Sequence, residues 1–346
     1  MLALVADIGG TNARFALTDL QAQTPVILLE KFLPAADFAS LQHAAEHYLS
    51  GVHSSGVHSQ PTHAAIAVAS PVSGDEIRLT NRAWSFSQRE LQAALKLEKL
   101  TVLNDFGAVA HAVGAFTKAD RTVLYGDPNA ELTGPISVIG PGTGLGVALL
   151  VGGARRSKDN GAESASTAKP PREWHVVETE GGHVSYAPLG EEEHAIERWF
   201  NARFGRTSNE RLLSGAGLSH IDAALSGAEH PSLQAAQQPL REAAEIVAAA
   251  LDGHDLSARK TLARFCAVLG SVAGDTALIH GARTVVIAGG IVPRFIPFLR
   301  TSAFRERFLA KGRFAAYLES VAIHIVTHPH PGLLGAAVAL RATQEF

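Results

Sequence analysis

Three glycine clusters, each following an apolar run, mark where the backbone could come closest to a ligand: Gly9-Gly10-Thr11, Gly140-Pro141-Gly142-Thr143-Gly144 and Gly289-Gly290. Without a Cβ, successive N–H groups can turn toward one anion, as phosphate-binding loops require. Any one cluster alone reads more readily as a tight turn. Three of them at strand ends, two carrying a threonine hydroxyl, predict a phosphate site. Asp7 stands just before the first cluster. A carboxylate beside phosphate needs a cation between them, so Asp7 predicts Mg2+ contacted through water, which that ion gives up reluctantly. The alternative is an aspartate that caps a turn.

Two common nucleotide motifs do not fit. No cluster is followed by the Lys-Ser/Thr pair of a Walker loop. Gly140, Gly142 and Gly144 have the wrong spacing for the dinucleotide fingerprint, and the strand-like run LeuGlyValAlaLeuLeuVal follows where a helix is needed. The phosphate site therefore belongs to another architecture.

Other polar residues stand out less sharply. Asn104-Asp105 ends an apolar run and reads as a turn or helix N-cap. Glu180 and His183 flank two glycines and so share a turn. Thr207-Ser208-Asn209-Glu210 has the spacing of a capping box, as do Ser87 and Glu90. Cys266 lies in an apolar pattern and reads as a buried thiol; as the single cysteine it excludes an internal disulfide and a cysteine-rich metal site.

The elements that must position these residues follow from the apolar patterning. The 346 residues allow two domains of about 100–200 residues each. With 46% hydrophobic and 18% charged residues the chain is globular rather than disordered. Its 30 Lys and Arg against 33 Asp and Glu give a net charge of −3, which lacks the basic footprint of a nucleic-acid binder. No signal-peptide pattern opens the chain, and no stretch reads as the ~18 charge-poor apolar residues of a membrane span, so a cytoplasmic protein without a membrane partner is expected.

Apolar runs at Leu2–Ala6, Ala13–Leu20 and Val26–Phe32 around a glycine turn predict an antiparallel meander. A helix is expected over Phe38–Leu49, a buried strand over Ala64–Ala69 and a helix over Gln88–Leu95. A strand, Leu100–Leu103, then leads into a helix over Ala108–Phe116. The unit Ile136–Ile139, glycine loop, Val147–Val151 repeats the opening pattern and suggests two related halves. Residues 152–172 are polar and low in complexity, a loop insertion between two strands. The remainder is mainly helical, at 191–204, 208–214, 217–225, 239–252, 257–280 and 331–343. Strands at Thr284–Ala288 and Ala322–Thr327 interrupt it. This is an α/β protein, in which ligands sit at the carboxyl ends of strands.

Asp7-Ile8-Gly9-Gly10-Thr11-Asn12-Ala13-Arg14 resembles the first phosphate motif of the actin-like ATPase and sugar kinase superfamily, in the form used by bacterial glucokinases. SPVSGD (70–75), TNRAWSFS (80–87), LNDFGAVA (103–110), GPGTGLG (140–146), EGGHVSYAP (180–188), ERLLSG (210–215) and IAGGIVPRF (287–295) agree in order. The resemblance spares mainly the insertion and the loop near 51–62. The zinc-binding cysteines of the neighbouring ROK group are missing, so the resemblance is to the non-ROK group. Pro141, Ser185 and the long insertion depart from the usual pattern.

The resemblance implies a two-domain ribonuclease-H-like (actin-like ATPase / sugar kinase) fold with a central cleft. Residues 1–108 and 329–346 would form a small domain and 109–328 a large one, whose helices suit a homodimer. It implies ATP and Mg2+ as cofactors and glucose as substrate. Asp105 would accept the sugar hydroxyl proton, and Asn104, Glu180, His183 and Glu210 would bind the sugar. Ala6, Asp7, Ile8, Gly9, Gly10, Thr11, Gly142, Thr143, Gly144, Gly289 and Gly290 would line the nucleotide. Asn81 and Trp84 are further candidates for the sugar side, with core packing the alternative for Trp84. A kinase for another hexose, or a sugar sensor without catalysis, would use much the same residues.

Overall fold

Alternation governs the first strands. In the computed structural model, which describes residues 1–343 apart from 58, 80–83, 155–171 and 227–239, β1 (Leu2–Ile8) and β2 (Asn12–Asp19) form an antiparallel ladder. β3 (Leu28–Pro34) extends it, completing the expected meander. After α1 (Leu41–Ser54), β4 (His63–Val68) pairs parallel with β1 on its other side. The short strands β5 (Glu76–Arg78) and β6 (Ser85–Ser87) pair with each other and lead into α2 (Gln88–Ala94), which Ser87 caps by accepting the Glu90 N–H. β7 (Lys99–Asn104) then pairs parallel with β4, giving the order β3-β2-β1-β4-β7. α3 (Asp105–Val113) follows at once.

Apart from Asp7, β1 is apolar because both faces of this sheet are covered. Leu4, Ala6 and Ile8 point to a cluster with Leu41, Ala44 and Tyr48 of α1, while Ala3 and Val5 point to a second with Ala108 and the C-terminal helix. Trp84 is buried in the first cluster, and its indole N–H donates to the Phe38 carbonyl at 3.2 Å. Of the two readings of Trp84, core packing is the observed one, while Asn81 lies outside the described residues.

A second sheet repeats the plan. β8 (Arg121–Tyr125) precedes β9 (Ile136–Pro141), β10 (Leu145–Ala154) and β11 (Arg172–Thr179), the last three an antiparallel meander. The described ends of the insertion are the paired residues Ala154 and Arg172. Helices α4 (Glu191–Phe204), α5 (Asn209–Leu212), α6 (Gly215–Leu225), α7 (Ala243–Asp252) and α8 (Leu256–Ile279) come next. Then β12 (Thr284–Ile287) pairs parallel with β9. After α9 (Ile296–Thr301), α10 (Phe304–Leu309) and α11 (Ala315–Glu319), β13 (Ala322–Val326) pairs parallel with β12 and antiparallel with β8. The order is β11-β10-β9-β12-β13-β8, the first sheet's order with one added edge strand. The sequence echo between the two glycine hairpins thus corresponds to a repeated sheet.

α12 (Pro331–Ala342) rejoins the first sheet, so residues 1–117 and 328–346 form one unit and 118–327 the other. α3 stays with the first unit, beyond the boundary at 108 read from sequence. The reason is its close packing on α12, where a Cβ at Gly335 would overlap the Ala108 carbonyl oxygen.

α8 corrects one sequence expectation. By length and composition it could cross a membrane, because Arg264 and Asp275 are too sparse to break the apolar pattern. It is 67% buried over that window, as the central helix of the second core. Cys266 lies in it, fully buried, and burial pushes its thiol up to about 12.

Candidate active site

In the first unit the candidate residues sit at the carboxyl ends of parallel strands. Ile8 of β1 is level with Val68 of β4, which is level with Asn104 of β7. The Gly9 N–H donates to the Asn12 carbonyl at 3.0 Å, closing the turn between β1 and β2. Ala6 and Ile8 are completely buried, so only their backbone could meet a ligand.

Asp7 lies opposite Arg14 in the ladder, and the Arg14 guanidinium donates to its Oδ2 at 3.0 Å. α12 begins against this carboxylate: a Cβ at Gly332 would come within 2.7 Å of Oδ2. Burial pushes the Asp7 carboxyl above the usual carboxylate range, and Arg14 pulls it back. Arg14 was in the motif but not assigned to Asp7 from sequence; a cross-strand pair flanking a two-residue-wide turn was the available signal. Among the described residues no three His, Cys, Asp or Glu side chains gather as a metal site. With one oxygen already paired, Asp7 fits a cation carried mainly by other oxygens and reached through water, not one held by the protein alone.

Asn104 caps α3. Its Oδ1 accepts the Phe106 and Gly107 N–H groups at 2.9 and 3.2 Å, and its amide donates to the Ser70 carbonyl at 3.3 Å. Asp105 is the first helical residue, and its Oδ1 accepts the Phe106 N–H at 2.8 Å. Helix N-termini favour negative charge at this position.

The second unit gathers the rest. Pro141 pairs with Leu145, leaving Gly142-Thr143-Gly144 as the hairpin loop, closed by a Gly142 N–H···O Gly144 bond of 2.8 Å. Because β12 runs beside β9, Gly289-Gly290 emerges next to that loop. Gly289 has φ of 85°, and a Cβ there would overlap the Pro141 carbonyl, so only glycine suits it. Gly142 and Gly290 face open space: a Cβ meets nothing closer than 4.0 Å at the first and nothing within that distance at the second.

Glu180, His183 and Glu210 come together. The EGGH segment makes a single 3-10 turn, Gly181–His183, pressed so tightly on β10 that a Cβ at Gly182 would overlap the Leu145 carbonyl oxygen. His183 Nε2 lies 3.8 Å from Glu180 Oε2, and its Nδ1 lies 3.7 Å from Glu210 Oε1. Glu210 is not in a capping box. Ser208, not Thr207, caps α5 by accepting the Arg211 N–H, which leaves the Glu210 side chain to turn toward β10. There its Oε2 accepts the Leu145 N–H at 3.1 Å. Backbone bonds from Tyr186 to Thr207 and from Asn209 to Val184 join the two segments. Arg206, which sequence reading did not single out, donates to the His183 carbonyl at 3.0 Å and toward Ser185 Oγ.

Two α/β units built on the same sheet order, with glycine hairpins at the strand ends, define the actin-like ATPase and sugar kinase class. The crystal structure of a glucokinase from an Antarctic psychrotroph has this fold, with a TM-score of 0.79, 35% identity and 99% of each chain covered. The glucokinase family profile matches residues 4–343. A Helicobacter pylori glucokinase is 39% identical over 339 residues, covering 97% of this chain and 95% of its own. One from Cupriavidus metallidurans is 40% identical over 338 residues, covering 97% and 92%. The chain belongs to the glucokinase family.

Proposed function

We propose that this protein transfers the γ-phosphoryl group of ATP to the 6-hydroxyl of glucose, giving glucose 6-phosphate and ADP. The observation that carries it is the Glu180–His183–Glu210 group, two carboxylates on either side of one imidazole. Carboxylates accept hydrogen bonds from sugar hydroxyls and the imidazole can accept or donate. A site of this kind rejects a sugar that leaves one of its polar groups unpaired.

Asp105 accepts the proton of the attacking hydroxyl, and Asn104 contributes to sugar binding while its Oδ1 caps α3. Phosphoryl transfer asks for little covalent chemistry, so positioning and charge stabilisation supply most of the rate. The glycine loops at 9–11, 142–144 and 289–290 present N–H groups and open backbone to the nucleotide. Asp7 would hold a phosphate-bound Mg2+ through water, and that ion would supply neutralising charge.

A coupled assay of ADP release against a panel of hexoses tests this. Turnover with glucose at a kcat/KM well above that for mannose, fructose and N-acetylmannosamine is expected. Sugar binding by calorimetry without turnover on any hexose would instead favour a sensor.

The nucleotide side has its own test in Gly142→Val. Because a Cβ at 142 meets no protein atom closer than 4.0 Å, the variant should fold. Its nucleotide Kd should rise about tenfold or more, equivalent to ~1.4 kcal/mol, with glucose Kd nearly unchanged. Equal loss of both affinities in a folded protein would count against a phosphate role.

A further inference from the structure

Gly144 is grouped by sequence with the phosphate loop, yet the space its side chain would fill is occupied by Glu210. A Cβ on Gly144 would stand 2.5 Å from Glu210 Oε2 and 3.2 Å from its Cδ. The same oxygen accepts the N–H of the next residue, Leu145, at 3.1 Å. The other oxygen, Oε1, faces His183 Nδ1. One carboxylate thus touches the His183 group with one oxygen and the phosphate hairpin with the other. The hairpin is tied to the same stretch of chain again by the Gly215 N–H, which donates to the Gly142 carbonyl at 2.9 Å, while Gly142 N–H bonds to Gly144.

We propose that Gly144 serves the sugar side of the reaction: its missing Cβ lets Glu210 dock on the Leu145 N–H, and that docking couples sugar occupancy to the shape of the phosphate hairpin. The inference rests on the sugar-binding reading of Glu210 given above. A hydroxyl donating to Oε1 removes rotational freedom from the carboxylate and holds Oε2 in line with the Leu145 N–H. The hairpin 142–145 then loses alternative conformations before nucleotide arrives, so nucleotide binding orders less. By linkage the effect is reciprocal, and each ligand tightens the other by the same factor. A methyl group at 144 pushes the carboxylate off the Leu145 amide and uncouples the two.

Calorimetry on the full chain, with glucose and a non-hydrolysable ATP analogue titrated singly and together, tests this in wild type and Gly144→Ala. In the variant the glucose Kd, measured without nucleotide, should rise about tenfold. Alanine keeps the residue-144 backbone N–H and fills only the space that Glu210 occupies, so the analogue's Kd without sugar should stay within about twofold of wild type, and its tightening by glucose should vanish. Loss of analogue affinity in the absence of sugar, with glucose affinity intact, would assign Gly144 to the phosphates and overturn the proposal; so would no change in either. Wild type that binds no glucose at all would defeat the functional reading itself, and this inference with it. Should Gly144→Ala not fold, hydrogen exchange on wild type decides. Glucose alone should slow the Leu145 amide several-fold more than the neighbouring amides of the β9–β10 ladder, and unchanged exchange at Leu145 would sink the coupling.

Discussion

Asp105→Asn lowers kcat by roughly 10²–10⁴, the usual range for losing general-base help, and lowers the melting temperature by no more than about a few degrees. The separation of the two effects follows from how β7 runs into α3. Asn104, not Asp105, caps the helix, accepting two backbone N–H groups and donating to Ser70. Asp105 accepts the Phe106 N–H, which an asparagine oxygen can do as well. What the substitution removes is charge: about 0.3–1 kcal/mol of favourable interaction with the helix N-terminus, and the basicity needed to take a proton. Glucose affinity should change little, since the amide can still accept from a hydroxyl. The contrasting variant is Asn104→Ala, which should cost about 1 kcal/mol of stability as a lost cap. Kinetics and a melting curve on one preparation of each variant separate the roles. An Asp105→Asn protein with wild-type kcat would remove the base from the mechanism proposed here.

Much of this arrangement was legible because apolar patterning and turn chemistry act locally. The runs at 2–6, 13–20 and 64–69 became β1, β2 and β4, and the Ser87 cap of α2 formed where its spacing placed it. The site residues were legible as types and as motif members, but their geometry was not. Thr207 and Ser208 are both competent caps, and local sequence cannot choose between them. The choice is tertiary: Thr207 donates to Asn201 Oδ1 and its carbonyl accepts the Tyr186 N–H, so the next residue caps α5. That shift of one residue is what turns Glu210 from a helix-capping side chain into one that reaches Leu145. The strand β8 and the helices α9 to α11 were missed because they are short and lean on the second core, not on strong patterns of their own. Likewise, Glu191-Glu192-Glu193 looks like three equivalent acids at a helix start, and burial alone distinguishes the third.

Glu193→Gln should destabilise the protein by about 3–5 kcal/mol, the cost of removing one partner from a buried ion pair. Glu193 is fully buried. Its Oε1 accepts from Arg264 and Arg307 at 2.7 and 2.6 Å, and its Oε2 accepts from Arg307, the Leu189 N–H and the Tyr186 hydroxyl. Every group bonded to it is acting as a donor. A glutamine keeps the shape but points an NH2 at those donors and leaves the positive charge of Arg307 without its acid, so the loss exceeds that of an ordinary hydrogen bond. Burial acts to raise the Glu193 carboxyl, but the bonds from Arg307, Tyr186 and Leu189 outweigh it and bring the group down to about 2 from an ordinary 4.5. A depressed carboxyl contributes stability that is present above its unfolded value and disappears as pH falls through its folded one. Wild type should therefore lose this contribution between about pH 4.5 and 2, and Glu193→Gln should show a shallower decline over the same window. At neutral pH the variant's melting temperature should drop on the order of 10 °C, at roughly 2–4 °C per kcal/mol for a unit of this size. Tyr186 and Leu189 belong to the segment that leaves His183, so the glucose KM should also rise at temperatures where the variant is still folded. A variant as stable as wild type at pH 7, with the same acid limb, would mean that the arginines find other partners and that Glu193 does not anchor this segment.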